Sequence, residues 1–149
     1  TIKLSLLGND KEIFNTTSVA NVNGFDLSEF NSISQSKFSY ILKKKPTLLS
    51  NNEDAFTINL YNEDNLVKEE KIIELKVNKE GLCLGIIQWM KIQLYKGIEY
   101  ENSPSGYLDS SSHWPTPIYL FDKPVSVKKG DVLKIRASLD TDNLWFFKE

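Results

Sequence analysis

Apolar and polar residues alternate with a period of two in separate stretches of this 149-residue chain, and that alternation restricts the fold more than any other feature. Within 55–61, Phe56, Ile58 and Leu60 alternate with Thr57 and Asn59. Ile73, Leu75 and Val77 alternate with Glu74 and Lys76, and Leu133, Ile135, Ala137 and Leu139 alternate with Lys134, Arg136 and Ser138. Successive side chains of a strand point to opposite faces, so each stretch is expected to be a strand with one face on a core. A turn at Lys128-Lys129-Gly130-Asp131 is expected to join Val125 and Val127 to the last of them.

The run 82–95 differs. Its first half is apolar on both faces (Leu82, Cys83, Leu84, Ile86, Ile87) and its second half alternates, as in a central strand covered on both sides. Gly85 inside it marks a bulge or a close backbone approach. Helical signal falls in 24–49, where Asp26 or Ser28 can cap a short amphipathic stretch carrying Phe25, Leu27 and Phe30, with Phe38, Ile41 and Leu42 as a second group. Many Ser and Asn residues lower its propensity, so it needs something to dock on. Several short strands, polar turns and no alternating helices predict a mainly β fold. The expectation is one domain over 1–149, an antiparallel barrel or sandwich with a short, partly helical arm at 24–49 near the N-terminus. A parallel α/β fold is excluded.

Charge and cysteine usage narrow the function classes. With 18 Lys+Arg against 20 Asp+Glu and one basic run, Lys43-Lys44-Lys45 before Pro46, no basic stripe for nucleic acid is expected. The longest apolar candidate, 82–94, is broken by Gln88 and Lys91 and falls short of the roughly 20 residues of a membrane helix. The lone Cys83 sits between Leu82 and Leu84, where an inert buried thiol is expected. With no second cysteine and no signal-like opening, the expected compartment is the cytoplasm. The chain starts at Thr1 inside a strand-like pattern and reads as a piece of something longer.

Candidate chemistry is sparse. The one histidine, His113, rules out a metal site of several histidines, and no metal is expected. Ser110, Ser111 and Ser112 precede His113, with Asp109 nearby, but neighbours on one loop do not arrange themselves as nucleophile, base and orienter, and no G-x-S-x-G elbow occurs. No glycine-rich phosphate loop follows a strand. Glu69-Glu70 read as a charged, solvated turn beside Lys68 and Lys71. In 107–121 a polar loop ends in His113-Trp114 and leads into an aromatic strand, which brings an imidazole and an indole to a sheet rim. That pair is either a packing Trp beside an incidental His or part of a site. Trp89, Trp114 or Trp145 would alternatively be the stacking platform of a carbohydrate- or ligand-binding sandwich, and a free-standing interaction domain is a third reading.

Four segments together resemble the C-terminal β-barrel domain of the protein arginine N-methyltransferases. They are Asn21-Val22-Asn23-Gly24-Phe25-Asp26-Leu27-Ser28, then 49–61, then 81–94, then Ser112-His113-Trp114 through Gly130. They stand in family order with similar spacing. The first resembles the N-V-x-G-F-D-M-S-like opening of the family's dimerisation arm. His113-Trp114, Ile118-Tyr119-Leu120 and Val127-Lys128-Lys129-Gly130-Asp131 resemble its T-H-W loop, the strand after it and its V-K-x-G-[ED] turn.

The resemblance implies a substrate-facing, dimerising barrel that is non-catalytic alone, with S-adenosylmethionine and the paired glutamates held by an upstream Rossmann-like domain outside this chain. It implies a protein or peptide substrate and a homodimeric parent, while the charge pattern and the lack of a long apolar run leave neither nucleic acid nor membrane as an expected partner. Carried over, Ser112, His113 and Trp114 form a wall of the substrate cleft, His113 through a polar contact with the catalytic domain. Phe25, Leu27, Phe30, Phe38, Ile41 and Leu42 become the dimerisation arm. Ser112 stands where the family has Thr, and Pro115 follows Trp114, a change that bears on loop shape and on the methyl acceptor.

Overall fold

Every strand pairing among the described residues is antiparallel. The computed structural model describes residues 1–59, 61, 68–106, 114–141 and 143–149. In chain order, strand β1 (Ile2–Gly8) leads to helix α1 (Lys11–Thr17), the hairpin β2 (Asn21–Val22) and β3 (Phe25–Asp26), a 3-10 helix (Ser28–Ile33) and β4 (Lys37–Tyr40). Then come β5 (Glu53–Phe56), β6 (Glu69–Lys76), β7 (Gly81–Gln93), β8 (Glu99–Glu101), β9 (Thr116–Val127), β10 (Val132–Leu139) and β11 (Leu144–Lys148).

One sheet runs β4-β9-β7-β1-β5, with β8 on the far end of β7, and a three-stranded sheet runs β11-β10-β6. Their facing sides enclose the main core, which includes Leu4, Leu6, Phe56, Leu75, Ile86, Tyr119, Ile135 and Phe146. The other face of the larger sheet is covered by α1 and the segment after β4, with Leu7, Ile13, Leu42, Ile87, Trp89 and Ile118 packed together. Each such aliphatic side chain contributes about 1.5–3 kcal/mol by leaving water. Double coverage explains why β7 is apolar on both faces, and residues 83–89 of it are buried without a break. On β6 and β10 only one face is covered, and Ile73, Leu75, Ile135 and Ala137 are buried while Glu74 and Lys134 are exposed.

Among the described residues the strands do not close into a continuous barrel. At one seam a backbone bridge links Ser50 to Val77, and the Lys71 ammonium lies 4.6 Å from the Phe56 ring centroid. At the other seam, where β11 faces β4 and β9, no backbone ladder forms among the described residues. The turn before β10 matches expectation: Gly130 adopts φ +100, and the Asp131 carboxylate accepts from the Lys128 N–H at 2.8 Å.

Some local expectations fail for physical reasons. The strand expected over 55–61 is β5, which starts earlier and ends at Phe56. Its neighbour β1 pairs with it as far as Ile2 opposite Phe56, and among the described residues 57–59 join no ladder; Leu60 lies outside the described residues. Glu69 and Glu70 open β6 instead of forming a turn. The α-helix is at Lys11–Thr17, outside 24–49, and the Asp10 carboxylate caps it by accepting from the N–H groups of Glu12 (2.9 Å) and Ile13 (3.3 Å). Lys43 and Lys44 are exposed and reach Glu12 and Asp10 at 3.7 and 3.4 Å, tying the loop after β4 to α1.

Candidate functional site

Between α1 and β4 the chain makes an excursion held together by its own polar groups. Asn23 and Gly24 both take positive φ (52 and 86) in the β2–β3 turn, and the Asn21 side chain accepts from the Gly24 N–H at 3.0 Å. The Asp26 carboxylate accepts from the Ser28 N–H at 2.9 Å, a bond that holds its pKa below the ordinary value. Asn31 closes the base, accepting from the Val19 N–H at 2.9 Å and donating to the Val19 carbonyl at 2.7 Å. With Ser and Asn competing for backbone partners, the segment becomes a hairpin and a 3-10 helix, not an amphipathic α-helix.

The result is an arm whose apolar groups face water. Phe25, Phe30 and Ile33 are 71%, 60% and 80% exposed, and no residue of the 3-10 helix is buried. The residues expected to form one dimerisation surface therefore separate. Phe25 and Phe30 lie on the arm, Leu27 is half-buried at its base and Ile41 is exposed beyond β4. Phe38 lies in β4 opposite Ile118, where strand pairing overrides its weak helical setting, and Leu42 is buried under the larger sheet.

The second candidate is the rim around Trp114. Ser112 and His113 lie outside the described residues, as do Asp109, Ser110 and Ser111. Trp114 is 50% exposed, its ring centroid 6.2 Å from that of Tyr100 on β8. Beside it the Trp89 indole N–H donates to the Glu101 carboxylate at 2.8 Å, and the buried Asn102 side chain accepts from the Met90 N–H at 2.9 Å. Lys91 pairs with Glu99 at 2.8 Å, which raises the pKa of the lysine. On β8 the Tyr100 ring, which meets Trp114, points to the face opposite the Glu99 and Glu101 carboxylates, and those carboxylates are engaged by Lys91 and the Trp89 indole, so the rim offers two adjoining aromatic rings, a surface that suits a flat or alkylated cation. The Trp89–Glu101 bond joins residues twelve apart across a hairpin whose turn no motif announces.

Trp89 is buried, and Trp145 stacks on Phe147 (centroids 6.0 Å apart, planes 16° apart), so the three indoles do not form one open platform for a sugar. Cys83 is buried, and burial pushes its thiol up to about 11, so the inert reading holds. Among the described residues no three His, Cys, Asp or Glu side chains are grouped to hold a metal ion. Among the described residues no helix is long and apolar enough to cross a membrane.

S-adenosylmethionine requires a glycine-rich turn at the end of a strand and an acidic side chain for the ribose. One surface depression is lined by Asn51, Lys76, Asn78, Lys129 and Gly130, and another by β9 and β11 with Asp122. Neither combines the two features, so these residues do not fit the nucleoside.

A family model described as the arginine methyltransferase oligomerization subdomain matches residues 10–146. The chain belongs to that family. The match takes in the arm, the Trp114 rim and every strand of this oligomerization subdomain except β1 and the end of β11. No curated protein matches it. Among solved structures it is similar to a chain of the Trypanosoma brucei PRMT1 enzyme-prozyme heterotetrameric complex with AdoHcy, with TM-score 0.56 and 15% identity. The likeness, which is one of fold, covers 92% of this chain and 46% of that one, so the subdomain spans about half the solved chain.

Proposed function

We propose that this chain is the substrate-facing and dimerising domain of an S-adenosylmethionine-dependent protein arginine-type N-methyltransferase, without a complete catalytic set of its own. The observation that carries the reading is the exposed apolar arm inside a chain matched from residue 10 to 146 by an oligomerization subdomain. A small domain does not hold Phe25, Phe30 and Ile33 in water without a partner to cover them. The solved relative is described with AdoHcy, the demethylated product of S-adenosylmethionine, and in an assembly of enzyme and prozyme. Both descriptions support a methyl-donor domain elsewhere in the complete protein and a partner subunit for the arm.

In this reading Trp114 and Tyr100 face the target, and His113 makes the polar contact to the catalytic domain. The complete enzyme is a cytoplasmic homodimer acting on protein or peptide. Isothermal calorimetry tests the division of labour. The isolated chain should give no heat with S-adenosylmethionine and should transfer no methyl group to an arginine-rich peptide. Micromolar binding by the chain alone overturns the reading.

A further inference from the structure

We propose that Lys37 is a bolt that fastens the root of the arm to the open seam, so that the set of the arm and the closure of the seam move together. Lys37 is the first residue of β4, where the chain returns from the arm. Its ammonium donates to the Leu144 carbonyl on β11 at 3.1 Å and lies 5.2 Å from the ring centroids of both Tyr119 and Trp145. The Tyr119 hydroxyl donates to the same carbonyl at 3.0 Å and contacts the Gln88 side-chain oxygen on β7 at 2.7 Å. One carbonyl of an edge strand thus gathers β4, β9 and β11.

The strength of that link comes from its setting. A cation between two aromatic faces and a carbonyl, partly shielded from water, is held more firmly than a surface ion pair. It also stands where no ladder helps. In β11 the N–H and C=O groups of Trp145 and Phe147 turn inward to β10, since the Glu149 N–H reaches Lys134 and the pairing alternates from there. Leu144, Phe146 and Lys148 therefore direct their backbone groups away from β10, and only the Leu144 carbonyl has partners across the seam among the described residues. One residue beyond the bolt the seam parts into a cleft lined by Ser36, Leu120, Phe121, Phe146 and Phe147. The cleft begins where the bolt ends.

Removing the cation should let β4 and β11 separate while the rest of the larger sheet stays closed. Lys37 is a positioning residue here, and presentation of the arm to a partner rests on the function proposed above, whereas the following experiment does not. Hydrogen exchange is followed on the chain and on K37M, K37R and Y119F. K37M should speed exchange of the ladder amides of both strands, Phe38 and Tyr40 within 37–40 and Trp145 and Phe147 within 144–148, by about tenfold or more and leave 4–7 and 84–89 unchanged. K37R, which retains a cation between the rings, should stay within about twofold of wild type. Y119F, which loses the second donor, should loosen 144–148 but leave 37–40 protected. Unchanged exchange in K37M, or an equal rise in every strand, overturns the bolt. Should K37M not fold, K37R decides alone, and loss of protection at 37–40 in that variant overturns it too.

Discussion

Gly85 lies against the backbone of Tyr119 so closely that a methyl group on its Cα would stand 2.0 Å from the Tyr119 carbonyl oxygen and 2.8 Å from the Leu120 Cα. The ladder between β7 and β9 slips at this point: Cys83 pairs with Val125 and Gly85 with Leu120, so residues 121–124 bulge opposite Leu84 alone. The bulge bends β9 away from β7 and lines the cleft beside β11. G85A meets backbone, which cannot swing aside as a side chain can. It should cost about 3 kcal/mol or more, beyond the usual range for overpacking. Urea unfolding would show it as a lower midpoint, and a variant within about 0.5 kcal/mol of wild type would show that the bulge is not held by this contact.

The same strand shows what a sequence can and cannot disclose. A run apolar on both faces with an interior glycine is a local signal, and it locates β7, its coverage on both sides and its close approach to β9. Alternation likewise locates β6 and β10, because one covered face imposes it. The arm reads differently. Phe25, Leu27 and Phe30 have helix-like spacing, yet a weak helix former follows whatever polar contacts it can make, and Asn21, Asp26 and Asn31 supply those. Lys37 and Leu144 stand 107 residues apart, and no spacing rule relates them. Trp114 is noticeable as an aromatic beside a polar loop, but its ring partner Tyr100 follows only from how β8 pairs with β7.

Cys83 gives a pH dependence with a defined sign. It is fully buried and contacts the Gly85 carbonyl at 3.5 Å, and burial raises its pKa from 9.0 to about 11. Between those values the unfolded chain has released a proton that the folded chain keeps, so stability falls as pH rises through the window and is unaffected by this group below it. The loss is about 2 kcal/mol by the upper end. Other groups titrate there too, so the measurement is the difference between wild type and C83A in urea unfolding across the window. The difference should shrink by about that amount as pH rises, and a difference independent of pH would remove the buried thiol as its source.

Trp114 offers a separation of activity from stability. Half its surface is in water, and its described ring contact is with Tyr100 at the rim. If the complete protein is the methyltransferase proposed above, W114A in it should lower turnover by up to about a hundredfold through lost positioning, with a change in unfolding midpoint of only a degree or two. H113A should behave alike if the imidazole meets the catalytic domain. Turnover equal to wild type in both variants would return the pair to a packing role.

The arm yields the sharpest test because its residues differ so much in burial. Phe25 and Phe30 are mostly in water, whereas Leu42 is enclosed with Ile13, Ile87 and Trp89 under the larger sheet. Replacing Phe25 and Phe30 together by Ser therefore removes little from the fold of the monomer but removes the anchors of an interface. If the arm dimerises the complete protein as proposed, the double variant should weaken self-association by about a hundredfold or more, roughly 2–3 kcal/mol, with an unchanged unfolding midpoint of the subdomain. L42S is the opposite control and should lower stability first, since it puts a hydroxyl in an apolar cluster. If the arm docks on the catalytic domain of a second subunit, as proposed, the isolated chain should sediment mainly as a monomer. A tight dimer of the isolated chain that survives replacement of both phenylalanines would show that another surface drives association and that the exposed arm serves some other contact.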